Sequence, residues 1–479
     1  MPKQSIRFFN SEIASPPPTG GWLAKTTILN DCTLYPVPLY NDLMSKTYII
    51  NGGNQLHGQV NVSGSRNAVT KMIIASMLSF DPIRLKNVPD IGEVQSTKEM
   101  LEKIGTQITW DKENKFMHLS TPEVRDSRAS VEWHGKNRLP LLLAAPLLHR
   151  FGHAEIPLDD SQDGAEKPVD FHIEGYKAMG AMVEEKDHML YFRSGKLKGA
   201  SITLPYPSVS ATENLLLAAV LAEGKTVIKN VAVEPEVIDL TNLLQKMGAV
   251  IFHEPGRVFV VEGVGFLNGA EHSIIPDRIE VASFACAAIA TQGSIFINGA
   301  EQDENQTLMN VIRKIGGNFS VIEDGIAFSH EGELKAINLE TGVHPGFMTD
   351  WQPPFSVVLT QCNGASVLHE TVHEQHFKYI DDLVKMGADV QLFAECLGSS
   401  ECRFKNTGEK HSAIIKGPVV LKGGDLVISD IHSAFAYVLS ALIATGTTRI
   451  RGVEKLERGF DHVVEKLTAL GADITVEED

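Results

Sequence analysis

Three short segments of this chain carry side chains able to do chemistry. Residues 156–172 read IPLDDSQDGAEKPVDFH, which places Asp159, Asp160, Asp163, Glu166 and Asp170 together with Lys167 as their only fixed positive charge. Such a segment is ordinarily a solvated loop, but a carboxyl group whose pKa rises in a closed site can donate a proton. Residues 369–373 read HETVH, the spacing of a zinc protease if the segment is helical, because only a helix puts both imidazoles on one face. Cys396 and Cys402 with His411 suggest a zinc loop only weakly, since their spacing is irregular and no fourth ligand is obvious. No metal and no cofactor are expected.

Composition narrows what these groups can serve. A chain of 479 residues with 43% hydrophobic content can bury large cores, and its length fits two or three domains. A formal net charge of -17 argues against a general nucleic-acid binder, and any anionic ligand needs a local cationic pocket. Five scattered cysteines fit a reducing compartment rather than a disulfide framework. The longest apolar run, Leu139 to Leu148, is too short to span a bilayer and contains two prolines, so a soluble, cytoplasmic protein is expected. Residues 1–47, which include SPPPTGG, read as a flexible N-terminal extension without the charged start and apolar core of a signal peptide.

The elements that must position the chemistry show in a repeat. A helix end, a glycine and a strand recur at Gly105, Gly180, Gly248, Gly316, Gly387 and Gly471, roughly 68 to 84 residues apart. Before each glycine, apolar residues fall at helical spacing, as in Leu240, Leu243, Leu244 and Met247, and the glycine suits a left-handed cap. Between these copies lies a second helix that is almost wholly apolar, such as Leu215 to Leu221, and so must be buried on all sides. Six units that cannot close a core alone predict two globular domains of three units each, facing a cleft.

The phrases VNVSGSRNA, SVSATENLLLAAVLAEGKTVIKNVAVEPEVIDL, IIPDRIE, HPGFMTDWQ and LERGFDHVVEKLTALGADI resemble the enolpyruvyl transferases over about residues 48–479. The resemblance implies a two-domain, inside-out α/β barrel with six repeated units, one domain spanning 67–275 and the other 48–66 plus 276–479. It also implies transfer of the enolpyruvyl group of phosphoenolpyruvate to the 3-hydroxyl of UDP-N-acetylglucosamine, with release of phosphate, at the start of peptidoglycan synthesis. The reaction needs cations for the carboxylate and phosphate, an acid for the methylene carbon and a base for the hydroxyl.

Matched phrase by phrase, Arg66 stands where the family has lysine and is followed by the matching Asn67, while Arg138 and Arg458 match family arginines. His376 and His432 occupy the places of two further arginines, and Lys167 replaces another. Arginine offers a planar, permanently charged fork, whereas histidine holds an anion only when its site keeps it protonated. Asp350 matches the carboxylate beside the acceptor hydroxyl, and Asp430 a second carboxylate in the same cleft. The family's mobile loop usually carries a cysteine. Here alignment from Pro157 puts Asp160 in that position and alignment back from Pro168 puts Ser161 there; Asp160 is the expected acid, and an epoxide inhibitor finds no thiol. Acceptor recognition falls to Lys167, Pro168, Val169, Asp170 and Phe171, to Tyr206 through Val209 with Ser208 among them, and to Val372; Ser210 replaces a usual glycine. These changes leave open a catalytically silent relative or an enzyme for another nucleotide acceptor. HETVH follows Gly364 in the strand phrase GASVLHETV, which removes the helix a protease would need.

Overall fold

The computed structural model describes residues 46–130, 139–158, 169–399 and 402–478. Arg138, Asp160, Ser161, Lys167, Pro168 and the extension as far as residue 45 lie outside the described residues. The described residues belong to one compact unit.

The repeating unit is a strand, a buried helix, a parallel strand, an amphipathic helix and an antiparallel pair, with some copies completed by a strand from a distant part of the chain. In one of them strand Ser201–Thr203 leads to helix Val209–Ala219, then to strand Lys225–Lys229, which lies parallel to the first strand with Ile228 opposite Ile202. Helix Pro235–Lys246 follows, with proline in its first turn where no amide hydrogen is needed, and strands Val250–Glu254 and Val258–Glu262 close the unit as an antiparallel pair. The glycine that ends the amphipathic helix has positive φ in all six copies: 121°, 88°, 103°, 95°, 110° and 102° at Gly105, Gly180, Gly248, Gly316, Gly387 and Gly471. A side chain there would be strained, which is why the repeat is punctuated by this residue.

Six sheets, one for each repeat, are found among the described residues, five of four strands and one of three. In the three-stranded sheet Arg128 makes an isolated parallel bridge to Glu155 where the others have a fourth strand. The sheets lie outside and the apolar helices inside. All thirteen residues of helix Arg278–Ala290 are buried, and it packs against helices Gln352–Leu359 and Ala434–Ile443. In the other half, helix Val209–Ala219 packs against Ala144–Phe151 and Pro235–Lys246. The chain therefore has the inside-out α/β fold.

Two hydrophobic clusters result, one built from residues 68–274 and one from 48–60 with 279–472. The chain passes between them twice, after strand His57–Asn61 and after strand Ala270–Ser273, and the two crossings are tied together. Gly64 bridges Pro276, the Ser65 amide donates to the Ile275 carbonyl at 2.8 Å, and the Asp277 amide donates to the Ser63 carbonyl at 2.9 Å. Beside the crossing, Arg278 of the second cluster reaches Glu236 of the first through a buried two-pronged pair at 3.1 and 2.8 Å.

Removing one partner of such a pair leaves an uncompensated buried charge, whereas replacing both need not. Glu236→Ala should cost about 3–5 kcal/mol in urea unfolding, and the double change Glu236→Met, Arg278→Met should recover most of it. A single-variant loss near zero would show that the pair does not hold the two halves together.

Candidate active site

Arg66 opens helix Arg66–Ala75 directly after the first crossing. Its backbone amide and Nε both donate to Asp277 Oδ2, at 3.0 and 3.1 Å, and its guanidinium lies over the Phe460 ring at 4.1 Å. A Cβ at Gly459 would stand 2.6 Å from Arg66 Nη1, so a side chain there would displace the guanidinium. Nη2 is buried and has no hydrogen-bond partner among the described residues. One side of a guanidinium fork is thus fixed and the other open, an arrangement that favours an anion on the open side.

Asp350 lies in the single turn Thr349–Trp351, which is pinned because Trp351 Nε1 donates to the Arg278 carbonyl at 3.1 Å. His432 Nδ1 donates to Asp350 Oδ1 at 2.7 Å. Burial alone would raise the Asp350 pKa, but the hydrogen bond and charge of His432, followed by the charges of His376 and Arg66, outweigh it and hold the carboxyl well below its usual range.

Beneath Asp350, the buried Glu370 organises a ring of histidines. Its Oε1 accepts from Thr341 Oγ1 at 2.9 Å and from the Val372 and His373 amides at 2.7 and 2.9 Å. Its Oε2 accepts from Thr349 Oγ1 at 2.9 Å and faces His376 Nδ1 at 3.4 Å. The His373 ring lies 4.7 Å from that of His376 and 5.1 Å from that of His432, so the three imidazoles stand together. Burial, then the charges of His376 and His432, push His373 down to about 3, which makes it the neutral spacer of the trio. His376 Nε2 is buried without a partner among the described residues.

Asp430 is committed locally. It accepts from the His432 and Ser433 amides, both at 2.9 Å, and from Ser433 Oγ and Ser429 Oγ at 2.7 and 2.8 Å. Burial opposes its ionisation, but these bonds and the His432 charge lower its pKa to about 2. It shapes the turn that presents His432. Arg458 crosses between the clusters, its Nε donating to Glu93 Oε1 at 2.5 Å while its carbonyl accepts from the Glu93 amide at 3.1 Å.

The expected acceptor side is assembled from three places. Val169 precedes helix Asp170–Ala178, whose Phe171 packs on the first cluster; Asp170 is exposed at its start. Ser208 caps the neighbouring helix that begins at Val209, and Ser210 Oγ lies 3.3 Å from His172 Nε2, so the two helix starts sit side by side. Tyr206 stacks under Arg403 at 4.5 Å, and Arg403 Nη2 donates to the Val372 carbonyl. Asn67 lies in the first turn of Arg66's helix, where its carbonyl accepts from Lys71 Nζ at 2.6 Å.

HETVH is divided. His369 ends strand Gly364–His369, and His373 lies in the turn that follows, so the two imidazoles serve different clusters and no protease site forms. Arg403 and Phe460 were not singled out from the sequence, and Glu370 and His373 entered only as part of the HETVH protease spacing, not as members of this site. The density of histidine in LHETVHEQH is the signal that could have placed those two here; Arg403 has none, because Tyr206 and Val372 come from distant segments.

Glu370 generates a pH prediction. Burial opposes its ionisation, yet the hydrogen bond and charge of His376, with the His373 and Val372 amides, lower its pKa below the ordinary 4.5. A lowered carboxylate pKa contributes stability that is complete above the unfolded value and disappears as pH falls below it. Glu370→Gln should therefore lose about 2–4 kcal/mol at pH 7. Thermal melts should show the gap to the wild type shrinking below pH 4.5.

The family model described as EPSP synthase (3-phosphoshikimate 1-carboxyvinyltransferase) matches residues 50–467. The UDP-N-acetylglucosamine 1-carboxyvinyltransferase of Protochlamydia amoebophila is 43% identical over 438 residues, covering 90% of this chain and 94% of its own. The enzyme of the same name from Chlamydia abortus is 45% identical over 427 residues, covering 88% of this chain and 96% of its own. Among solved structures, the enolpyruvyl transferase NikO from Streptomyces tendae superposes with a TM-score of 0.81 at 22% identity, over 91% of this chain and 99% of that one. EPSP synthase from Acinetobacter baumannii gives 0.69 at 17% identity, over 90% and 100%. These two share the fold. With the family match and the relatives in agreement, the chain belongs to the enolpyruvyl (1-carboxyvinyl) transferase family.

Proposed function

We propose that this chain transfers the enolpyruvyl group of phosphoenolpyruvate to the 3-hydroxyl of UDP-N-acetylglucosamine, releasing phosphate, as the first committed step of peptidoglycan synthesis. The observation that carries this reading is Asp350, an ionised carboxylate bonded to His432 and within electrostatic reach of His376 and of Arg66, whose buried Nη2 has no hydrogen-bond partner among the described residues. Identity of 43–45% over nearly the whole chain to enzymes of that name supports the substrates.

In the addition half, the acceptor oxygen bonds to C2 of phosphoenolpyruvate while C3 takes a proton. A carboxylate held well below its usual range is a weak base towards a resting hydroxyl, so Asp350 first orients it. It takes the proton as the C–O bond forms and the hydroxyl becomes acidic. In the elimination half, C3 gives up a proton, the bond from C2 to the phosphate oxygen breaks, and phosphate leaves. Arg66 and Arg458 hold the anionic groups, and His376 and His432 supply the positive character that arginines give in the family resemblance. Arg138 and Lys167 join this set, and Asp160, ahead of Ser161, supplies the proton to C3. The two hydrophobic clusters are the two domains, 67–275 and 48–66 plus 276–479, between which the ligands lie. Val169, Asp170, Phe171, Ser208, Val209 and Val372, with Pro168, face the nucleotide sugar. A cytoplasmic location follows from soluble substrates, and no helix among the described residues is long and apolar enough to cross a membrane.

Incubation with phosphoenolpyruvate and UDP-N-acetylglucosamine should release phosphate stoichiometrically with a carboxyvinyl product seen by mass spectrometry. Asp350→Asn should lower kcat by roughly 100-fold or more with an unchanged circular dichroism spectrum. Absence of phosphate release by the wild type would point to a silent relative, and near-normal turnover in the variant would remove Asp350 from the mechanism.

A further inference from the structure

We propose that His369, Cys396, Cys402 and His411 form a structural zinc site, independent of the reaction assigned above. One ligating atom from each of the four lies within 4.8 Å of all the others. Cys396 Sγ is 3.7 Å from Cys402 Sγ and 3.3 Å from His411 Nε2. A tetrahedral zinc ion with Zn–S of about 2.3 Å and Zn–N of about 2.0–2.1 Å implies S–S edges of about 3.8 Å and S–N edges of about 3.6 Å. The sulfur separation fits such an edge and is far too long for a disulfide.

The imidazole tautomers point the same way. His411 Nδ1 lies 2.8 Å from the Glu409 carbonyl oxygen, which can only accept, so Nδ1 carries the proton and Nε2 turns a lone pair towards the cysteines. His369 Nδ1 lies 2.8 Å from Glu340 Oε2, which leaves Nε2 as the free lone pair. That Nε2 is buried with no hydrogen-bond partner among the described residues. A histidine that gives its outer N–H to a carboxylate or carbonyl and its other nitrogen to a metal is the usual supporting arrangement of zinc centres. A thiol-to-imidazole hydrogen bond could account for Cys396 and His411 alone, but it leaves His369 Nε2 unexplained.

The fold brings the four together from two sources. Strands Gly364–His369 and Ser412–Gly417 pair antiparallel with His369 opposite Ser412, which sets His411 beside the end of the first strand. The two cysteines come from the loop between strand Asp389–Phe393 and strand Ser412–Gly417. Gly398 crosses the His369–Glu340 pair so closely that a Cβ would lie 2.0 Å from the carboxylate and 2.1 Å from the ring. Four protein ligands leave no open position, so the ion holds structure and does no chemistry, and the cysteines bind as thiolates with loss of two protons. The residue after Cys402 is Arg403, which the clamped loop carries to Val372 and Tyr206.

The test is metal content. Full-length protein made in zinc-supplemented medium and purified in reductant without chelator should contain about one zinc per chain by plasma mass spectrometry, and Cys396→Ser, Cys402→Ser should reduce it at least roughly tenfold. Because that variant could fail to fold, wild-type protein stripped by chelator and given cobalt should show the intense visible bands of a tetrahedral thiolate site. Wild-type protein with neither zinc nor that spectrum overturns the proposal. So do zinc retained after loss of both thiols and a Cys396–Cys402 disulfide in the reduced preparation.

Discussion

One carboxylate, that of Asp277, joins the two halves of the molecule to the site between them. Its Oδ2 takes the Arg66 amide and Nε, and its Oδ1 takes the Ile279 and Glu280 amides at 2.8 and 3.1 Å, capping the central helix of the second cluster. The same acid thus ends one crossing strand, starts one buried helix and aims the cation that opens the other. Arg66 and Asp277 are 8% and 5% exposed, so neither charge is screened by water and each depends on the other. Phe460 and Gly459 fix the remaining faces of the guanidinium and leave Nη2.

The protein as a whole repels anions, and the site reverses that locally. Glu370 would be costly as a buried carboxylate and Asp350 as a partly buried one, but each faces an imidazole, and Glu370 also takes two backbone amides. Burial, followed by the charges of His376 and His432, holds His373 down to about 3. The result is a mutually supporting hydrogen-bond network that runs from Thr349 and Glu370 to His376 and from Asp350 to His432.

Most of the architecture was legible in the sequence because it is local. Glycines with positive φ end helices at fixed offsets, and helices apolar on every side must lie inside. Phrase matching singled out Asp350, His432, His376 and Arg66, and the structure brings them together. The crossing tie, the Glu370–histidine ring and Arg403 were not legible: Arg66 and Asp277 are 211 residues apart and His432 and Asp350 are 82 apart, beyond the reach of any periodicity. HETVH forms no protease site for the reason its strand phrase already gave: His369 ends a strand and His373 lies in the turn beyond it, so the first histidine could be joined to Cys396, Cys402 and His411 only through strand register.

In the function proposed above, Arg66, held from one side by Asp277, receives the anion on the other. The most direct measurement is calorimetric titration of phosphoenolpyruvate into protein preloaded with UDP-N-acetylglucosamine, in an Asp350→Asn background that stops turnover. Arg66→Ala should weaken binding by roughly 100-fold, and Arg66→Lys, which keeps a compact charge, by no more than about tenfold. Equal affinity for the Arg66→Ala protein, folded by circular dichroism, would rule out Arg66 as the anion's partner.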